Sequence, residues 1–183
     1  MTDPHRALDE DLVDYAARWP AETIAGEFVR FLHVSAPVFE RSNREGHFTG
    51  SAWLVSGDSR RVLLTHHRKL DRWLQLGGHA DGDVDLARVA LREAEEESGL
   101  RGLVVESEIF DLDRHAIPAR GDDLVHWHYD VRYVVRATGH EDFVVSDESH
   151  ALAWRDIAQI VRDPSADESL RRMATKWLSA RTR

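Results

Sequence analysis

No cysteine occurs among the 183 residues. That excludes disulfides, thiolate zinc sites, iron–sulfur clusters and a cysteine nucleophile. Long apolar runs are missing as well, none exceeding four residues. Neither a signal peptide nor a membrane span is therefore expected, and a cytoplasmic protein is the default. Positive charge is in deficit, with 24 Lys and Arg against 33 Asp and Glu and a net charge of −9. Such a field disfavours nucleic acid as a partner. An anionic substrate would need a positive group to receive it, most simply a divalent cation held by the protein's own carboxylates.

What is present fits one domain spanning 1–183, since 42% of the residues are apolar and the length is typical of a single core. The five prolines fall singly and read as punctuation. Leu8, Leu12, Tyr15 and Trp19, then Ile24, Phe28, Phe31 and Leu32, recur at helical spacing, so a helical extension is expected over 5–40. Ser51 to Ser56 and Arg61 to His66 flank Gly57-Asp58 and predict a hairpin, leading to a loop at Gly77-Gly78. Asp85 to Ser98 is a run of helix formers closed by Gly99. Strands are expected at Leu103 to Phe110, His126 to Ala137, Phe143 to Val145 and Ala151 to Trp154, and helices at Ile157 to Val161 and Ser169 to Ala180. The order describes an α/β (α+β) unit with a core at 48–161 and a C-terminal helix at 165–183.

On the central helix, Ala87, Ala90, Leu91 and Ala94 form the expected core stripe, while Glu93, Glu96 and Glu97 share one side at i, i+3, i+4. Like charges so placed destabilise an isolated helix by about a few tenths of a kcal/mol per pair unless cations neutralise them. Clustered hard oxygen ligands suit Mg²⁺ or Mn²⁺. A solvated acidic face is the ordinary alternative, and context decides between the two.

That context is the stretch GHADGDVDLARVALREAEEESGL from Gly78, which resembles the signature of the Nudix hydrolases at Gly78, Arg92, Glu93, Glu96, Glu97, Gly99 and Leu100. Val84 stands where the family has its first glutamate, flanked by Asp83 and Asp85, and the GGHADGD start marks a divergent subgroup. The resemblance implies an α/β/α sandwich of helices around a mixed sheet. It also implies Mg²⁺, with Mn²⁺ as an alternative, bound by Glu93, Glu96, Glu97 and the Gly78 carbonyl. Catalytic roles go to Glu96 and Glu97, either of which is a candidate base, and to Arg92. Glu97, nearest the core stripe, is expected to be the ligand most damaging to lose. Water attack on the pyrophosphate bond of a nucleoside diphosphate linked to another moiety is the implied reaction. A homodimer is compatible with the family.

A calcium loop at Asp81 to Asp85 is rejected, because its sixth position is Leu86 and its twelfth Arg92. A second constellation, His126, His128 and Asp130, lies on one face of a predicted strand with Trp127, Tyr129 and Val131 on the other. It is read as a polar face toward the substrate cleft or water in preference to a transition-metal site, and His115 is a candidate to join it. Arg68, Lys69, Arg72 and Arg132 are candidate phosphate partners, with His126 and His128 beside them; Trp73, Trp127 or Tyr129 are candidates to stack on a base. Glu148 is the candidate auxiliary carboxylate and Trp154 a core residue. Isopentenyl diphosphate isomerases of the same fold use a cysteine that this chain lacks. A non-catalytic domain sensing a nucleotide or sugar nucleotide is the alternative function, and the full glutamate set argues against it.

Overall fold

A computed structural model of the chain describes residues 4–34, 36–68, 70–119, 124–145 and 149–180. Strand β1 (Gly46–Val55) is the centre of the fold, buried along its whole length. It pairs in parallel with β6 (His126–Ala137) from Gly46↔Trp127 to Val55↔Arg136. Its other edge is shared by β4 (Leu76–His79) and, at Val55↔Val62, by β2 (Arg61–His67), both antiparallel. β3 (Arg72–Leu74) and β7 (Ser149–Asp156) pair with β2, and β5 (Leu103–Ile117) pairs with β6, completing a seven-stranded mixed sheet.

Alternation along β1 dictates two cores. Ala52 and Leu54 pack with α1 (Pro4–Arg18), α2 (Ala25–Leu32) and α3 (Leu86–Ser98), whereas Trp53 and Val55 pack with α4 (Ile157–Arg162) and α5 (Glu168–Ala180). The result is the expected α/β/α sandwich. Leu12, Tyr15, Phe28 and Leu32 are fully buried, at about 1.5–3 kcal/mol of apolar burial for each Leu or Phe. The two N-terminal helices therefore close one face of the main core.

Several elements depart from the expectations. The Gly77-Gly78 segment is strand β4, because β1 offers it an unpaired edge at Thr49 to Ala52. Phe143 to Val145 is not a strand: Val144 N–H donates to the Ser98 carbonyl at 2.8 Å, so the segment crosses the end of α3 and pairs with no strand edge. β5 runs on past Phe110 to Ile117, with register shifts between Val105 and Asp111, and carries His115 beside His128. On α3 the buried face is Leu86, Val89, Ala90, Ala94 and Glu97, leaving Ala87 and Leu91 only partly covered. The helix is rotated from the expected stripe, which carries its glutamate side to the core margin. No helix among the described residues is long and apolar enough to cross a membrane.

Candidate active site

Helix α3 begins where Asp85 accepts the Arg88 N–H at 3.0 Å and ends at Gly99, whose left-handed φ of 71° lets its N–H reach the Glu95 carbonyl. Between these caps the carboxylates face β4. Glu97 is 9% exposed and accepts the Gly77 N–H at 2.8 Å. Glu93 lies against Gly78, where any Cβ would run into its carboxylate, so only glycine leaves room for the two to meet. Glu96 is exposed. A buried anchor, a carboxylate pressed on a bare backbone and a solvent-facing carboxylate thus occupy one side of the helix.

Arg92, whose partner the Val84 substitution left open, donates to the His79 carbonyl at 3.0 Å and to Glu93 at 2.9 Å. It joins α3 to the end of β4 without a carboxylate at position 84, where Val84 packs against the core. Asp83 is taken by Arg88, with contacts of 2.6 and 2.9 Å. Asp81 is held by Arg41. The three aspartates of the loop are therefore caps and ion-pair partners, in agreement with the rejected calcium loop.

The opposite face of the sheet is polar at the same end. Strand alternation turns Gly50 and Gly78 toward α3 and turns His47, Thr49, Ser51, His126, His128 and Asp130 away from it. Asp130 is 1% exposed. It accepts from Thr49 Oγ1 at 2.9 Å, Ser51 Oγ at 2.7 Å, Gln75 Nε2 at 3.2 Å and Arg132 Nε at 2.7 Å. Above it stand five imidazoles. Ring centroids of His47 lie 4.8 Å from His128, 5.1 Å from His79 and 5.2 Å from His126, and His115 is 5.4 Å from His128. Burial, then the neighbouring histidines, pushes His128 down to about 2. Burial and then Arg41 push His79 down to about 4, and burial also lowers His47. These rings are neutral near pH 7 and keep their lone pairs.

Some candidates fall elsewhere. Arg132 is no phosphate partner: it is 2% exposed and bound by Asp111, Asp113 and Asp130. Arg172 and Lys176 add to the same buried network through Asp111. The basic residue in a strand looked available because Asp111 and Asp113, which close around it beside its near neighbour Asp130, come from another strand. Tyr129 does not offer a stacking face, because its ring lies flat on Phe31 at 3.7 Å. Trp127 carries Arg114 at 4.0 Å, and Trp73 lies under Arg155 at 4.5 Å. Arg72 pairs with Asp167. Arg68 is exposed and donates to the Ser149 carbonyl at 3.4 Å. Trp154 packs against the main core. Lys69 and Glu148 lie outside the described residues. The sequence reading missed His47 and His79 as companions of His128; the parallel β1–β6 register that sets His47 opposite His128 leaves no local signal.

With this geometry in place, a NUDIX domain model matches residues 47–178. Solved structures of similar fold include the MutT protein from Methanosarcina mazei Go1, at 14% identity and TM-score 0.62, with 77% of this chain and 99% of that one covered. A binary complex of a C. elegans Ap4A hydrolase gives 14% identity, TM-score 0.58 and coverage of 74% and 97%. The NUDIX domain of Shewanella oneidensis NrtR, complexed with ADP ribose, gives 19%, 0.51, 81% and 97%. No curated protein sequence matches the chain.

Proposed function

The chain belongs to the Nudix family of pyrophosphohydrolases, and from that premise we propose that it cleaves the pyrophosphate bond of a nucleoside diphosphate linked to another moiety, with a divalent cation of the Mg²⁺ class. The observation that carries the reading is the placement of Glu93 and Glu97 against the bare backbone of Gly77 and Gly78. Hard carboxylate oxygens converge there beside a strand whose missing side chains leave the backbone open. The donor set fits the cation: Glu93, Glu96, Glu97 and the Gly78 carbonyl would hold it. When bound, such an ion polarises phosphoryl oxygens and offsets developing charge.

The remaining work falls to the chain's own groups. Gly77 N–H fixes the Glu97 carboxylate in orientation, and Arg92 holds Glu93 while tying the helix to the His79 carbonyl. Glu96, open to solvent, is proposed to take the proton of an attacking water, with Glu97 as the alternative base. Arg68 supplies a phosphate or leaving-group contact, whereas His126 and His128, turned to the sheet face away from α3, are given no part in it. Glu148 is proposed as the auxiliary carboxylate. The substrate class is nucleoside diphosphate derivatives, in line with the ADP ribose and Ap4A of the similar proteins' names.

A panel of nucleoside triphosphates, ADP-ribose, dinucleoside polyphosphates and sugar nucleotides, with and without Mg²⁺ or Mn²⁺, tests this. Cation-dependent release of a phosphate-containing product is expected. Saturable nucleotide binding without cleavage would move the sensing alternative ahead.

A further inference from the structure

We infer that His47, His126 and His128 form a second metal site, for a transition cation of the zinc class, separate from the glutamate face. Ligand-capable atoms of these three side chains all lie within 4.8 Å of one another. Three imidazoles converging on one point is a donor set that suits Zn²⁺, Ni²⁺ or Cu²⁺ and does not suit Mg²⁺, which takes oxygen ligands.

The chemistry of the rings supports a bound cation over simple packing. His47 is 3% exposed, yet neither of its ring nitrogens has a partner in hydrogen-bond geometry. Burial disfavours its proton, against the Asn43 backbone carbonyl and the Asp81 carboxylate, which favour it. His128 Nε2 is likewise buried and unpartnered. Burying a polar nitrogen without a partner is unfavourable, and a shared cation satisfies several at once. His126 is oriented by its Nδ1 contact with the Leu124 carbonyl at 2.9 Å, the kind of supporting contact that fixes which nitrogen faces a metal.

Position makes the site distinct. β4 runs between the two faces: Gly78 presents its backbone to Glu93, while the next residue, His79, sets its ring 5.1 Å from His47 and 5.0 Å from His128. Three protein ligands leave a fourth tetrahedral position for water, for an anionic ligand atom or for His79 after a rotation of its side chain. The site does not rest on the hydrolase reading, because its ligands come from the other face of the sheet.

The test uses the full chain stripped with a chelator and titrated first with Co²⁺, followed by visible absorption, and then with Zn²⁺ in calorimetry under excess Mg²⁺. One Zn²⁺ per chain that displaces Co²⁺ and is indifferent to Mg²⁺ is expected. His128→Ala should weaken Zn²⁺ by more than about 100-fold, since loss of even a supporting group costs about 10–100-fold. His126→Ala, at the partly exposed rim, provides a variant whose fold is checked by circular dichroism and thermal melting. Glu93→Gln and Glu97→Gln should leave Zn²⁺ affinity within about twofold. Absence of saturable Zn²⁺ binding, unchanged affinity in folded His126→Ala, or loss of Zn²⁺ in the glutamate variants would each overturn the assignment.

Discussion

Glu97→Gln separates charge from shape at the anchored carboxylate. The amide keeps the side-chain volume and an oxygen able to accept the Gly77 N–H, now 2.8 Å from the carboxylate. Exchanging a charged for a neutral acceptor costs about 1 kcal/mol. Relief of repulsion with Glu93, at i−4, returns about a few tenths of a kcal/mol. The melting temperature should therefore fall by no more than about 4 °C, given about 2–4 °C per kcal/mol in a chain of this size. Catalysis should suffer far more. A unit charge at about 4 Å from a cation in a partly buried site contributes about 4 kcal/mol at an effective dielectric of 20, equivalent to about a 10³-fold loss of kcat. Steady-state hydrolysis of the best panel substrate, paired with thermal melting, reads both quantities. A rate within about threefold of wild type in the folded variant would refute the ligand assignment, and a fall in melting temperature beyond about 10 °C would make Glu97 a structural group.

Gly78→Ala should lower activity at least about tenfold with the chain folded, because the added Cβ displaces the Glu93 carboxylate; a kinetic comparison with Gly139→Ala, where the added carbon meets only the Arg101 carbonyl at 4.0 Å, checks it. Arg132→Met takes from the buried Asp130 its paired cation and from Asp111 and Asp113 one of theirs and should cost about 3–5 kcal/mol, a fall in melting temperature of about 10 °C or more, while turnover per folded molecule at low temperature stays near wild type. The pH dependence of the metal-free protein follows from the histidines. With His79 lowered to about 4 and His128 to about 2, the unfolded chain binds more protons below about 6.5, so stability should decline as pH falls through the 6.5 to 4 window. His128→Gln should flatten that decline in melting curves taken across the window; an unchanged slope would show that His128 is not the group responsible.

The glutamate helix was legible because its message is local. The run of helix formers from Asp85, the closing Gly99, four-residue periodicity and a signature of fixed polar positions all lie within one stretch, and α3 matches it to within a residue. The helix's rotation was not legible, since Ala87 and Leu91 are as apolar as the residues buried in their place, and only the sheet decides which side is covered. Long-range pairing hid the rest. Arg132 reads as an available cation until β5 and α5 bring Asp111, Asp113, Arg172 and Lys176 around it. His47 lies 79 residues before His126 in the sequence and joins it only through a parallel strand pair, which no turn announces. Phe143 to Val145 has strand composition but is held across the end of α3 by the Val144 N–H bond to the Ser98 carbonyl, and is coil.

Hydrolysis in ¹⁸O-labelled water tests the central claim most directly, with each substrate of the panel, Mg²⁺ present or withheld, and wild type beside Glu97→Gln. Mass spectrometry should find one ¹⁸O in a phosphate-containing product, only with Mg²⁺ and only in wild type, as water attack on phosphorus at the glutamate face requires. Equal ¹⁸O incorporation in Glu97→Gln, or nucleotide bound with Mg²⁺ and left intact by wild type, would contradict the account.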